Sequence, residues 1–309
     1  GTQNKNTLNI QGGTINGALA VTENEKTTVT ISGGTFNTDV SKFVADGYIL
    51  NNGTVEKLGE TNAVAKIGEN YYGTFIDALR AATAEDTVTL LKDVELDTQI
   101  AITKKITLDL AGHTIKNGST VKAESGLFVV DNEGDFTIND SSAEKTGMIN
   151  AAAHGDNLWA AVLIWPDAGH TAKLTVNGGT LKGYSYPITG NGNCVEENCT
   201  TITINGGKLE SVNGLAIYHP QNGKLTVNGG ELIGQETAIE MRAGVLTIND
   251  GTFTATNKPT ATQPNGSGTT TDGAAIAVCQ HTTKLRTEVT INGGTFNGFS
   301  AFYEHNAQN

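Results

Sequence analysis

Proline, aromatic and charged residues are all scarce in this 309-residue chain, at 5 prolines, 6% aromatics and 17% charged residues. Beside 38 glycines, that supply points to a turn-rich fold with a modest core. Basic residues are also few: 20 lysines and arginines face 32 aspartates and glutamates, for a net charge of -12. With no local basic patch to offset it, this charge repels phosphate backbones and anionic lipid headgroups, so nucleic-acid partners are excluded. No apolar run reaches the ~18 residues needed to cross a bilayer, and no membrane insertion is expected. A signal peptide is lacking too, and the polar opening Gly-Thr-Gln reads as the interior of something longer. Of three cysteines, Cys194 and Cys199 lie close together in GNGNCVEENC. Their spacing permits a disulfide that staples a loop, or a free thiol pair, without fixing the compartment. Cys279 is expected to be unpaired and semi-buried.

Glycine is what the chain has in excess, with 38 residues, and it recurs in a repeat. Leu8–Gly17 (LNIQGGTING), Val29–Asn37 (VTISGGTFN), Leu174–Gly183 (LTVNGGTLKG), Ile202–Glu210 (ITINGGKLE), Leu225–Gly234 (LTVNGGELIG), Leu246–Thr254 (LTINDGTFT) and Val289–Gly298 (VTINGGTFNG) are variants of one motif. Asn205, Asn228 and Asn249 follow at steps of 23 and 21, so the unit is about 22 residues. Longer intervals are read as the same unit with an inserted loop, such as the Pro-, Gly- and Thr-rich TNKPTATQPNGSGTTTDG. Each motif alternates apolar and polar residues with the period of a strand, a Gly pair turns the chain, and another apolar residue follows. A third short strand precedes the motifs, as in AVLIW (Ala161–Trp165), AIYH (Ala216–His219), AIEM (Ala238–Met241) and AFYE (Ala301–Glu304). The expected fold is therefore all-β: a right-handed parallel β-helix of three strands and about 22 residues per coil, with one short capping helix and about ten coils.

Asn139, Asn177, Asn205, Asn228, Asn249 and Asn292 share one position of the repeat, where amides can donate to one coil and accept from the next. They are expected to form a structural ladder. On these motifs the chain resembles the pectin-lyase-like right-handed parallel β-helices. It is most similar to the tandem modules of large gut-bacterial surface proteins, where NGGTF turns recur and a module closes with a segment like ISGGTFNTDVSKFVADGY. The resemblance implies an extracellular, cell-surface or secreted protein. It does not imply an activity, because this scaffold carries lyases, hydrolases, adhesins and fibres.

One helix is expected within Tyr72–Asp86, with Phe75, Leu79 and Ala82 on one face and a Thr74/Asp77 capping box. It reads as the N-terminal cap of the eight coils that follow, whereas two coils precede it. The expected organisation is residues 1–62 as terminal coils and C-terminal cap of one module, and 63–309 as the cap helix and main β-helix of the next. Joining AFYEHNAQN to the opening NTLNIQGGTING preserves the repeat grammar, so the 309 residues are read as one period of a head-to-tail array.

No convergent acid, base and metal set emerges from the sequence. DNEGD, Asp131 to Asp135, reads as a polar turn rather than a calcium loop, and the six histidines lack metal-ligand spacing. No cofactor is expected. Aligning the third strands stacks Trp165, Tyr218, Glu240 with Arg242, and Tyr303 with His305 along one outward side, where rings beside polar groups suit a host or microbial glycan. Glu240 and Arg242 are expected to form an exposed ion pair, and Tyr184 and Tyr186 to lie on another face. The expected function is a non-catalytic structural or adhesive module associating with neighbouring copies. The alternatives are a polysaccharide-cleaving enzyme and a glycan-binding module.

Overall fold

The computed structural model describes residues 5–22, 26–121, 123–192, 194–259 and 271–306. The chain forms two compact units, Gly1–Ala81 and Ala82–Asn309. The division falls later than the 62/63 boundary read from the repeats, and the helix counts with the first unit.

The second unit is a parallel β-helix of eight coils, each giving one strand to each of three parallel sheets. Strand register turns the apolar positions into continuous ladders. Leu108, Ile138, Val176, Ile204, Val227 and Ile248 are successive neighbours in the first sheet. Ile115, Ile149, Leu181, Leu209, Leu232 and Phe253 follow one another in the second, and Phe128, Val162, Ile188, Ile217, Ile239 and Ile276 in the third. All of these side chains are buried. Burying one such side chain contributes about 1.5–3 kcal/mol, but a lone coil has no rung above or below to bury it. The final rung shows the difference: Ile291 is 39% exposed and Phe302 is 51% exposed.

The Gly pair is needed because the coils approach closely where they turn. Gly207 has a φ of +87, and a Cβ there would lie 2.6 Å from the Gly179 carbonyl oxygen of the preceding coil. Just before this turn the asparagines form an unbroken amide ladder. Asn177 donates to Asn139 at 2.8 Å, Asn205 to Asn177 at 2.7 Å, Asn228 to Asn205 at 2.8 Å, Asn249 to Asn228 at 2.7 Å and Asn292 to Asn249 at 2.8 Å. Asp140 anchors the divergent third coil, its carboxylate accepting from the backbone N–H groups of Gly112 and Gly147 and from Ser142 Oγ. Burial opposes its ionisation, yet these donors hold its pKa below the ordinary aspartate value.

The first unit departs from three strands per coil. Asn6–Ile15 and Thr27–Phe36 are single ten-residue strands that run through the Gly pair and pair in parallel, with Leu8 beside Val29, Ile10 beside Ile31 and Ile15 beside Phe36. The antiparallel hairpin of Tyr48–Asn51 and Thr54–Lys57 ends this stacking, Thr54 and Val55 pairing with Thr35 and Gly34. Ile31, Phe36, Val40 and Val55 form the small core. The helix is shorter than its sequence pattern and spans Phe75–Ala81. Thr74 caps it: the Asp77 N–H donates to Thr74 Oγ1 at 3.0 Å, and Thr74 Oγ1 donates to Asp77 Oδ2 at 2.7 Å, so the two expected residues pair through their side chains. Ala78, rather than Leu79, fills the buried position between Phe75 and Ala82.

Candidate functional site

Residues alternating with the isoleucine ladder point to the outside of the third sheet. Leu163, Thr189, Tyr218, Glu240, Ala277 and Tyr303 are register neighbours along that side, which aligns four of the coils as the sequence does. The structure nevertheless distributes the six expected ligand-binding residues over three environments.

Trp165 and Tyr218 line one cavity of about 530 Å³. Glu240 and Arg242 lie in the interior: both side chains are 0% exposed, and their ion pair, expected at the surface, is buried at 3.3 Å. Thr237 Oγ1 donates to the Thr271 carbonyl at 2.8 Å, holding the end of the long insertion to this strand, and the His281 N–H, from the turn after Ala274–Val278, donates to the Arg242 carbonyl at 2.8 Å. Tyr303 and His305 are elsewhere, on the last coil, with their rings stacked 6.4 Å apart.

The cavity gathers residues that the repeat pattern did not flag. Trp159 and Trp165 stand at the two ends of WAAVLIW with Leu163 between them, Trp159 and Leu163 on the strand Leu158–Ile164 and Trp165 directly after it. Trp159 was legible by the alternation of that strand. Tyr186 opens the next third-sheet strand, Tyr186–Gly190, and its ring lies 5.9 Å from that of Tyr218. Its expected placement on another face is thus corrected: the chain between the second and third sheets turns at Tyr184 and Ser185, and brings Tyr186 and Ser185 to the cavity. Burial pushes the Tyr186 hydroxyl well above the ordinary tyrosine range, with Tyr218, Glu236 and Glu240 adding to the effect, so it remains a hydrogen-bond donor.

The remaining wall is built from loops that follow third-sheet strands. Asn191 and Gly192 lead into the loop closed by a Cys194–Cys199 disulfide, and both cysteines are buried. Asn222 of the following coil fixes this loop, its N–H donating to the Cys194 carbonyl at 3.0 Å and its Nδ2 to the Val195 carbonyl at 2.9 Å. His281 enters from the turn that follows Ala274–Val278, and a Cβ on Gly192 would come within 3.2 Å of its Cε1, so glycine lets the loop meet the imidazole. Burial, and then the Arg242 charge, lower the His281 pKa. The Thr283 N–H donates to its Nδ1 at 3.3 Å, which leaves the proton of the neutral ring on Nε2. No sequence signal links His281 to Trp159, because they belong to distant coils and meet only where the turn after Ala274–Val278 reaches the cavity.

The other polar motifs are structural. In DNEGD the Gly134 N–H donates to the Asp131 carbonyl at 2.7 Å, and Asn132 exchanges hydrogen bonds with Asp167 at 2.8 and 2.6 Å. Glu133 accepts from Thr171 and lies 3.2 Å from His170 Nδ1. Cys279 is fully buried rather than semi-buried, and remains a thiol. Among the described residues no three His, Cys, Asp or Glu side chains are grouped to hold a metal ion, and no helix is long and apolar enough to cross a membrane. Comparison with protein-family models, with curated proteins and with solved structures gives no match to this chain.

Proposed function

We propose that this chain is a structural and adhesive repeat module of a bacterial extracellular surface protein or filament, without catalytic activity, whose copies assemble head to tail. The observation that carries the reading is a match between two strand edges. In the last coil Val289, Ile291 and Phe296 stack on Leu246, Ile248 and Phe253. In the first unit Leu8, Ile10 and Ile15 stack at the same spacings on Val29, Ile31 and Phe36. The outer edge of Asn6–Ile15 faces the direction of a preceding coil, whereas that of Thr287–Ile291 faces a following one. Leu8, 46% exposed, and Phe302, 51% exposed, mark these two edges as apolar. Unpaired strand edges bearing an apolar row are templates for pairing, and two different complementary edges make a heterologous contact that propagates into an open filament.

Family and location belong to the same reading. The Asn ladder and the coil of about 22 residues support membership among the pectin-lyase-like β-helices, and the Cys194–Cys199 disulfide suits an oxidising exterior. The use of polar side chains in ladders and turns supports a non-catalytic role, since Asn205, Asp140 and Glu133 each spend their hydrogen bonds on the fold itself.

A mixing experiment tests the assembly. Leu8→Asp blocks one edge and Phe302→Asp the other, so each variant alone sediments as a monomer at concentrations where the wild type forms growing oligomers. Mixed, they form a dimer and stop, because one intact edge of each kind remains. Wild-type chains that stay monomeric at every concentration, or variants that still polymerise singly, refute the head-to-tail reading.

A further inference from the structure

The stacking of coils leaves the aromatic cavity unexplained. Four rings, those of Trp159, Trp165, Tyr186 and Tyr218, converge on it. Trp159 stands at its mouth and is 41% exposed, on a strand whose other six residues are all buried. An exposed indole on a buried strand forgoes the favourable burial of a large apolar surface. The polar lining consists of uncharged groups that both donate and accept: the hydroxyls of Ser185 and Thr189 and the amide of Asn191, with His281 opposite. The volume of about 530 Å³ lies within the ~300–1,000 Å³ of small-molecule sites.

We infer that this cavity binds an uncharged pyranose residue of a saccharide, its C–H face against the tryptophan rings and its hydroxyls on Thr189, Asn191 and His281. A pyranose presents a flat apolar face and a hydroxyl-rich edge, and this lining answers both without desolvating a charge. A uronate would need a cation beside its carboxylate, whereas Arg242 is sealed off at 0% exposure and paired with Glu240. A quaternary ammonium ligand would also use the rings, but the hydroxyl and amide groups would then face methyl groups and lose their partners.

Both tryptophans of the chain line the cavity, so indole emission reports on it alone. The 309-residue chain is titrated with methyl glucoside, methyl galactoside, methyl mannoside and N-acetylglucosamine, and in parallel with glucuronate and choline. At least one neutral sugar is expected to give a saturable emission change, and the two charged probes weaker ones. Calorimetry on Trp159→Ala is expected to show about tenfold weaker binding, the equivalent of one lost ring contact, with the far-ultraviolet spectrum unchanged. Three results overturn the inference: no saturable response to any of the four neutral sugars, a stronger response to glucuronate or choline, or undiminished binding by Trp159→Ala. Sedimentation of Trp159→Ala should match the wild type, so failure here stays distinct from failure of the assembly reading.

Discussion

Arg242 is the largest fully buried side chain of the described molecule, and its pairing with Glu240 allows a quantitative test of how the β-helix holds a charged pair out of solvent. At 3.3 Å, and with an effective dielectric constant of ~20, the attraction between the two charges is about 5 kcal/mol. Desolvation offsets most of that gain, so the pair adds little net stability, yet removing one partner strands the other charge at a cost of about 3–5 kcal/mol. Glu240→Gln and Arg242→Met are each expected to lower stability by that amount. The double variant Glu240→Gln/Arg242→Met is expected to recover most of the loss, because no buried charge remains. Urea unfolding followed by tryptophan emission reads this directly, since Trp159 and Trp165 lie on the same sheet. Were the pair solvated, as the alternation of the strand alone implies, both single variants would fall within about 1 kcal/mol of the wild type. That result, or a double variant as unstable as the sum of the singles, would refute the buried-pair reasoning.

His219 is fully buried, its Nδ1–H donates to the Ala243 carbonyl at 3.2 Å, and burial lowers its pKa to about 4. Because the folded pKa lies below the unfolded one, stability is complete above pH ~6.5 and falls as pH drops toward 4, by about 3 kcal/mol at most; urea midpoints across that window should flatten in His219→Gln. Asn205 both donates and accepts in the amide ladder, whereas Asn292 shows only a donated bond. Asn205→Ala should therefore cost about 1–2 kcal/mol and Asn292→Ala about half as much, as measured by denaturant titration. Breaking the Cys194–Cys199 disulfide with the double serine variant should cost about 2 kcal/mol for so short a loop, and hydrogen exchange should rise first at residues 194–199 and at the Asn191–Gly192 wall of the cavity.

In the second unit the repeat was enough to determine the coil: alternation in Leu225-Thr226-Val227, the Gly pair and the apolar residue beyond it recur at about 22 residues, and only stacking buries what each coil leaves open. The same motif did not decide the local path everywhere, since in Asn6–Ile15 and Thr27–Phe36 it runs as one strand through its Gly pair. The amide ladder followed from the same logic, since equal positions in stacked coils must become neighbours. Trp165 and Tyr218 were likewise placed on one outward side by strand alternation, a strictly local property. What alternation could not decide is what lies over that side. Glu240 and Arg242 look outward from their strand, yet both are buried there, where Thr271 and His281 are hydrogen-bonded to its two ends. Tyr186 and His281 reach the cavity through the paths of two turns, which obey no repeat. Periodicity fixes the neighbours that every coil shares. The site arises where single coils depart from it, and those departures acquire a position only when the whole chain has folded.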